Sequence, residues 1–134
     1  MIVFDSNIVS DYLVGRSAAE SFLREHESER CAVSTIVVYE VMMGAVHGHL
    51  GGEPDSIRDG LTMSFDILPV DNEVAQAAVE LQSELLDVGA LAEAQDALIA
   101  ATARYHGGQF ATNEQTFWKP AVQSVLDVVE YDRD

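Results

Sequence analysis

The chain has 134 residues, 48% of them hydrophobic, with 23 Asp and Glu against 7 Lys and Arg and a formal net charge of −16. This length suits one domain with an ordinary core, and the lone Cys31 excludes an intrachain disulfide. The charge argues against a simple electrostatic nucleic-acid binder, which needs a basic stripe, and no uncharged apolar run reaches the roughly 18 residues of a membrane span. No basic segment precedes an apolar run as a signal peptide requires, so the expectation is a protein of the cytoplasm. The acids are spread along the chain, as in a surface adapted to concentrated salt, where the Debye length falls to about 3 Å at 1 M.

The opening "MIVF" predicts a short strand buried on both faces, as in a parallel sheet. "SNIVSDYLVG" predicts a short helix closed by Gly15, and "SAAESFLREHESER" a second, with Ser17 as N-cap and Glu20 completing a capping box. "CAVS" reads as a second strand. The following "IVVYEVMM" is β-branched enough to extend it, but the joined element would be about twice the usual strand length, so we break it at Ser34-Thr35 and expect a helix. "EPDSIRDGLTMSF" predicts a polar-faced helix and "DILPV" a third strand. "DNEVAQAAVELQSELLDVG" sets Val74, Ala77, Ala78, Leu81, Leu85 and Val88 at helical spacing between a cap, Asp71, and a stop, Gly89. "AEAQDALIAATARYHGG" predicts a helix stopped by Gly107-Gly108, with "QFAT" and "VLDVV" as the fourth and fifth strands. Strands alternating with helices make an α/β domain around a mainly parallel sheet of about five strands.

Most acids fall on polar helical faces. Three do not: Asp5 at the end of the first strand, Glu40 inside "IVVYEVMM", and Asp96 before "ALIAATA". Asp5 is either a helix N-cap or part of a site, and Asp96 either a cap or first-turn acid or part of a site; Glu40 has no capping role. Ionisable groups in apolar stretches are costly unless a cation or hydrogen-bond donors compensate. Three carboxylates brought together repel one another, and a hard divalent cation, Mg2+ or Mn2+, resolves the conflict with oxygen ligands.

The order is Asp-Ser-Asn after the first strand, "VSTIVVYEVMMG" with its internal Glu, "AQDALIAATA", then "FATNEQTF". It resembles the PIN-domain family, and within it the short VapC-like toxins of type II toxin–antitoxin pairs, over nearly the whole chain. The resemblance implies a single PIN-like domain over residues 1–134, a three-layer α/β/α fold, and hydrolysis of RNA phosphodiesters with Mg2+ or Mn2+. Residue by residue, Asp5, Glu40 and Asp96 match the family's first three metal-binding acids. Ser6 and Asn7 match the polar pair after the first of them, and Ser34 the polar residue opening the helix that carries Glu40. At the fourth element the chain departs from the pattern. Asn113 and Thr116 stand at the two positions where an Asp is expected, and Glu114 is the only carboxylate there; Thr112 and Asn113 either contact a phosphate or form an Asx-type turn.

The resemblance further implies a small antitoxin partner and a homodimer. The apolar face of the first two helices, with Ile8, Val9, Tyr12, Leu13, Phe22 and Leu23, offers either a groove for a partner helix or core packing. The rival within the same family is a catalytically degenerate PIN domain serving as a protein-interaction module. His47 and His49 are two residues apart and do not share a helix face, and Phe117 and Trp118 read as core rather than as stacking platforms.

Overall fold

The computed structural model describes residues 1–133. Strands β1 (Ile2–Phe4), β2 (Cys31–Ser34), β3 (Asp66–Leu68), β4 (Gln109–Thr112) and β5 (Val128–Glu130) alternate with helices α1 (Ser6–Leu13), α2 (Ser17–Glu25), α3 (Thr35–Val46), α4 (Pro54–Ser64), α5 (Asn72–Asp87), α6 (Ala94–Tyr105) and α7 (Pro120–Gln123). All four strand pairings are parallel, in the order β3-β2-β1-β4-β5. The chain therefore lays down β1, β2 and β3 in one direction and returns to place β4 and β5 on the other side of β1. The switch point lies between β1 and β4, whose carboxyl ends carry Asp5 and Thr112. Crevices of this kind are where open α/β sheets bind ligands.

The central strand has no solvent contact, with Ile2, Val3 and Phe4 at 0% exposure, which is why it is an unbroken apolar run. Phe4 meets Phe22 and Phe65 edge-on, and Phe22 meets Tyr131, tying α2, α4 and the segment after β5 to the sheet. Helix α5 packs Val74, Ala78, Leu81 and Leu85 of its predicted stripe into the core, whereas Ala77 is half-buried and Val88, just past the helix, is exposed. Asp71 caps this helix by accepting from Val74 N at 3.1 Å. Gly89 ends it with φ +71°, a backbone turn that side-chain-bearing residues rarely adopt.

The break at Ser34-Thr35 is real: β2 ends at Ser34, whose hydroxyl accepts from Val37 N at 3.2 Å and so caps α3. Ser17 is a correction. It is the first residue of α2, Arg16 occupies the cap position, and no side chain caps that end, so the capping box does not form. Between β4 and β5 a 3-10 turn, Gln115–Trp118, and the short α7 escaped the sequence reading, both being single turns too short for a periodic signal. Among the described residues no helix is long and apolar enough to cross a membrane.

Candidate active site

Asp5 follows the last residue of β1, and its amide is held by the carbonyl of Ala111 on β4 at 2.9 Å. Its extended backbone lets it serve as the N-cap of α1, Oδ1 accepting from Ser6 N at 2.8 Å. Oδ2 accepts from the Thr112 hydroxyl, also at 2.8 Å. The two alternatives for Asp5 therefore coexist: it caps a helix, and it is a buried carboxylate, 8% exposed, at the switch point. Burial pushes its pKa up, the Thr112 and Ser6 hydrogen bonds hold it down, and the charge of Glu114 adds to the rise.

Glu40 lies on α3, half-buried beside the core residues Val37 and Val41. Its pKa is raised, first by desolvation and then, against an opposing Ser6 side chain, by the charges of Asp5 and Asp96. Oε2 accepts from Gln95 Nε2 at 2.6 Å, whereas Oε1 is buried with no hydrogen-bond partner. Ser6 thus faces Glu40 closely enough to favour its ionised form, without completing a hydrogen bond to that oxygen. Asp96, in the first turn of α6, is likewise raised by burial and then by Asp5, Glu114 and Glu93.

Asp5, Glu40 and Asp96 therefore share one region of charge, with Glu114 at its edge. Among the described residues no arginine or lysine is paired with any of the four. Among the described residues no three His, Cys, Asp or Glu side chains are gathered tightly enough, as they stand, to hold a metal ion. The donor chemistry nonetheless suits a hard cation: carboxylate oxygens only, mutual repulsion, and a buried Glu40 Oε1 that no protein group satisfies.

The supporting residues divide. Ser34 is fully buried and spent on capping α3. Thr112 is fully buried; besides donating to Asp5 it accepts from Glu114 N at 3.0 Å, so it orients the cluster and forms a side-chain turn at once. Asn7 Nδ2 donates to Asn113 Oδ1 at 3.0 Å, joining the start of α1 to the loop after β4. Glu114 and Thr116 are exposed, with the Thr116 hydroxyl 3.5 Å from Glu114 Oε1. Two residues near the site escaped the sequence reading, Gln95 and Lys119. Gln95 could have been suspected as the neighbour of Asp96; nothing local marks Lys119.

A cavity of about 320 Å3 opens beside Asp96 and Glu114, walled by Glu93, Thr116, Phe117 and Lys119. A larger one, about 1040 Å3, is lined by Tyr12, Leu13, Arg24, Arg30, Met63 and Asp66 and lies where β2 and β3 begin, away from the acids. The apolar face of α1 and α2 needs correcting as a groove. Ile8 and Val9 are at 0% exposure and Phe22 at 8%, so they are core; Tyr12, Leu13 and the half-buried Leu23 reach the surface, at the rim of this second cavity. Phe117 is buried, as expected, and Trp118 donates its indole N–H to Thr112 O at 3.0 Å. The rings of His47 and His49 lie 5.8 Å apart and tilted by 31°, and among the described residues they belong to no group of three or more metal-ligating side chains.

Residues 2–122 match the family model for the PIN domain. A VapC ribonuclease of Pyrococcus furiosus is 26% identical over 101 residues, covering 75% of this chain and 66% of its own length, just under two thirds. A toxin–antitoxin complex from Klebsiella pneumoniae contains a chain 29% identical, with a TM-score of 0.76 and 98% of each chain covered. The FitAcB structure from Neisseria gonorrhoeae contains one 27% identical, with a TM-score of 0.75, covering 99% of this chain and 98% of its own.

Proposed function

Because the chain belongs to the PIN-domain family, we propose that it is an endoribonuclease and the toxin of a toxin–antitoxin pair, hydrolysing RNA phosphodiesters with the help of Mg2+ or Mn2+. The observation that carries this reading is the group of Asp5, Glu40 and Asp96 at the switch point, each raised in pKa first by burial and then by neighbouring carboxylates, with Glu40 Oε1 unsatisfied.

In this reading Asp5, Glu40 and Asp96 would hold the cation, with Glu114 a further carboxylate that would support it from the edge of the group. A bound Mg2+ or Mn2+ supplies a nucleophilic water at neutral pH and neutralises charge developing on the phosphate. The chain's own part is orientation. Thr112 fixes the Asp5 carboxylate by donating to Oδ2, and α1 fixes it again through Ser6 N. Gln95 holds Glu40 by Oε2, which leaves the buried Oε1, without a donor, as the oxygen that would face a cation. No histidine or lysine is needed as a general base.

A partner antitoxin is proposed from the likeness to the toxin–antitoxin complex, and a homodimer from the family resemblance. The second reading, a PIN domain that only binds proteins, is favoured by the fourth element, where Asn113 is bonded to Asn7 and Glu114 is exposed. Cleavage of single-stranded RNA by purified protein, dependent on Mn2+ and lost on Asp96→Ala, separates the two. Binding of the neighbouring gene product without any cleavage supports the interaction module instead.

A further inference from the structure

The chain has 7 Lys and Arg in all. Among the described residues Arg16, Arg30, Arg58, Arg104 and Arg133 are each ion-paired with a carboxylate. Arg24 lines the large cavity at the other end of the sheet. That leaves Lys119, the only lysine in the sequence, exposed, unpaired, and in the wall of the cavity that Asp96 and Glu114 also line. An unpaired cation here is unexpected on electrostatic grounds, since the chain has 23 Asp and Glu, three of them, Glu93, Asp96 and Glu114, on the same cavity.

The backbone beneath Lys119 is pinned. Trp118 donates to Thr112 O at 3.0 Å, at the carboxyl end of β4, and Gln123 Nε2 donates to Trp118 O at 2.9 Å. Lys119 is also the cap residue of α7, followed by Pro120 at its first turn, which sets where the side chain leaves the surface. A phosphodiester entering this cavity meets Glu93, Asp96 and Glu114, all repulsive. Among the described residues Lys119 is the one cation lining that cavity to offset them.

We infer that Lys119 is the phosphate-contacting residue of this site: its ammonium binds a backbone phosphate of a single-stranded RNA beside the one to be cut, and positions the strand over the acids. The inference rests on the RNA reading above. Its test uses a short fluorescein-labelled single-stranded RNA of mixed sequence. Binding is measured by anisotropy over a salt series in the absence of divalent metal, and cleavage separately with Mn2+. Lys119→Gln should weaken binding about fivefold and lower the slope of log K against log salt by about 0.7, the value for one lost contact on a single strand. Lys119→Arg should restore both. Arg58→Gln on α4, which removes the same charge far from the cavity, should alter neither, and the rise in melting temperature with Mn2+ should be the same in Lys119→Gln as in wild type.

If wild type cleaves RNA but Lys119→Gln binds with unchanged affinity and slope, the inference falls and the nuclease reading stands. If binding depends on Lys119 while no preparation cleaves, the contact is upheld and the nuclease reading falls. Wild type that neither binds nor cleaves overturns both.

Discussion

Helix α1 carries a buried carboxylate at each end, Asp5 at 8% exposure and Asp11 at 5%, and their surroundings are opposite. Asp11 is saturated by its own protein. Tyr131 donates its hydroxyl at 2.9 Å, Arg133 reaches it through Nε at 3.0 Å and Nη2 at 2.7 Å, and Arg16 stands 3.5 Å away. The Tyr131 hydroxyl is pushed up to about 12, by burial first and then by that carboxylate. Asp5 has two donors and no cation, and its charged neighbours, Glu40, Asp96 and Glu114, are all acids. A buried carboxylate neutralised from within fastens the chain to itself, here the tail after β5 to α1. A group of carboxylates left without a counter-charge is, in the reading proposed above, completed by a cation from solution, and that would separate a structural acid from a functional one.

The contrast is broken first by chemistry. Asp96→Asn removes a charge from the cluster and should cost RNA cleavage on the order of 10²–10³-fold, while the metal-free melting temperature stays level or rises; single-turnover cleavage and a thermal melt read the two. Asp11→Ala should do the reverse. Removing one member of a buried pair costs about 3–5 kcal/mol, and here about 2–3 kcal/mol because both arginines reach solvent. That lowers the melting temperature by about 6–10 °C, with the cleavage rate at a permissive temperature within about twofold of wild type. Loss of activity greater than loss of stability in Asp11→Ala would erase the distinction between the two ends of α1.

Within the cluster, Glu114→Gln should weaken Mn2+ binding and cleavage about tenfold, the lower end for groups acting on a metal from outside its ligand shell, and Thr116→Ala should change neither appreciably. Isothermal titration with Mn2+ compares them, and equal, negligible effects would limit the site to three acids. The smallest effect is with pH. Asp5, Glu40 and Asp96 are all raised above their ordinary values of 3.8, 4.5 and 3.8. Carboxyls with raised folded-state values bind protons more tightly when folded. Their contribution to stability is complete below those ordinary values and is lost as pH rises through the folded-state ones. The metal-free melting temperature should therefore lose this contribution upward from about pH 4, less so in Asp5→Asn, while the increment from Mn2+ grows over the same window as the ligands ionise.

The contrast was only half legible in the sequence. Asp5, Glu40 and Asp96 stood out because each interrupts an apolar run, a local signal, and strands β1, β2 and β4 were legible for the same reason. Asp11 did not stand out. It lies in a short amphipathic helix between Ser10 and Tyr12, where an acid reads as an ordinary polar-face residue, and its partners Tyr131 and Arg133 are about 120 positions away, so only the closed fold reveals its burial. The same limit explains Ile8, Val9 and Phe22: hydrophobic spacing on a helix marks a buried face without distinguishing the protein's own core from a partner's groove. Ser17 failed as a cap because a Ser three residues before Glu signals a helix start only to within a residue, and Arg16 holds the cap backbone instead.

The central claim, that Asp5 is a member of a cation site and not merely a helix cap, is tested most directly by thermal unfolding of wild type and Asp5→Asn in high salt, each with and without Mn2+. Asparagine caps a helix as well as aspartate does, so the cap is preserved and only the charge is removed. The account predicts that Asp5→Asn without metal melts at or above the wild-type temperature and that the rise produced by Mn2+, which at a hundredfold excess over Kd amounts to about 2.7 kcal/mol, is largely lost. A variant that melts lower than wild type without metal and retains the full Mn2+ increment would contradict it.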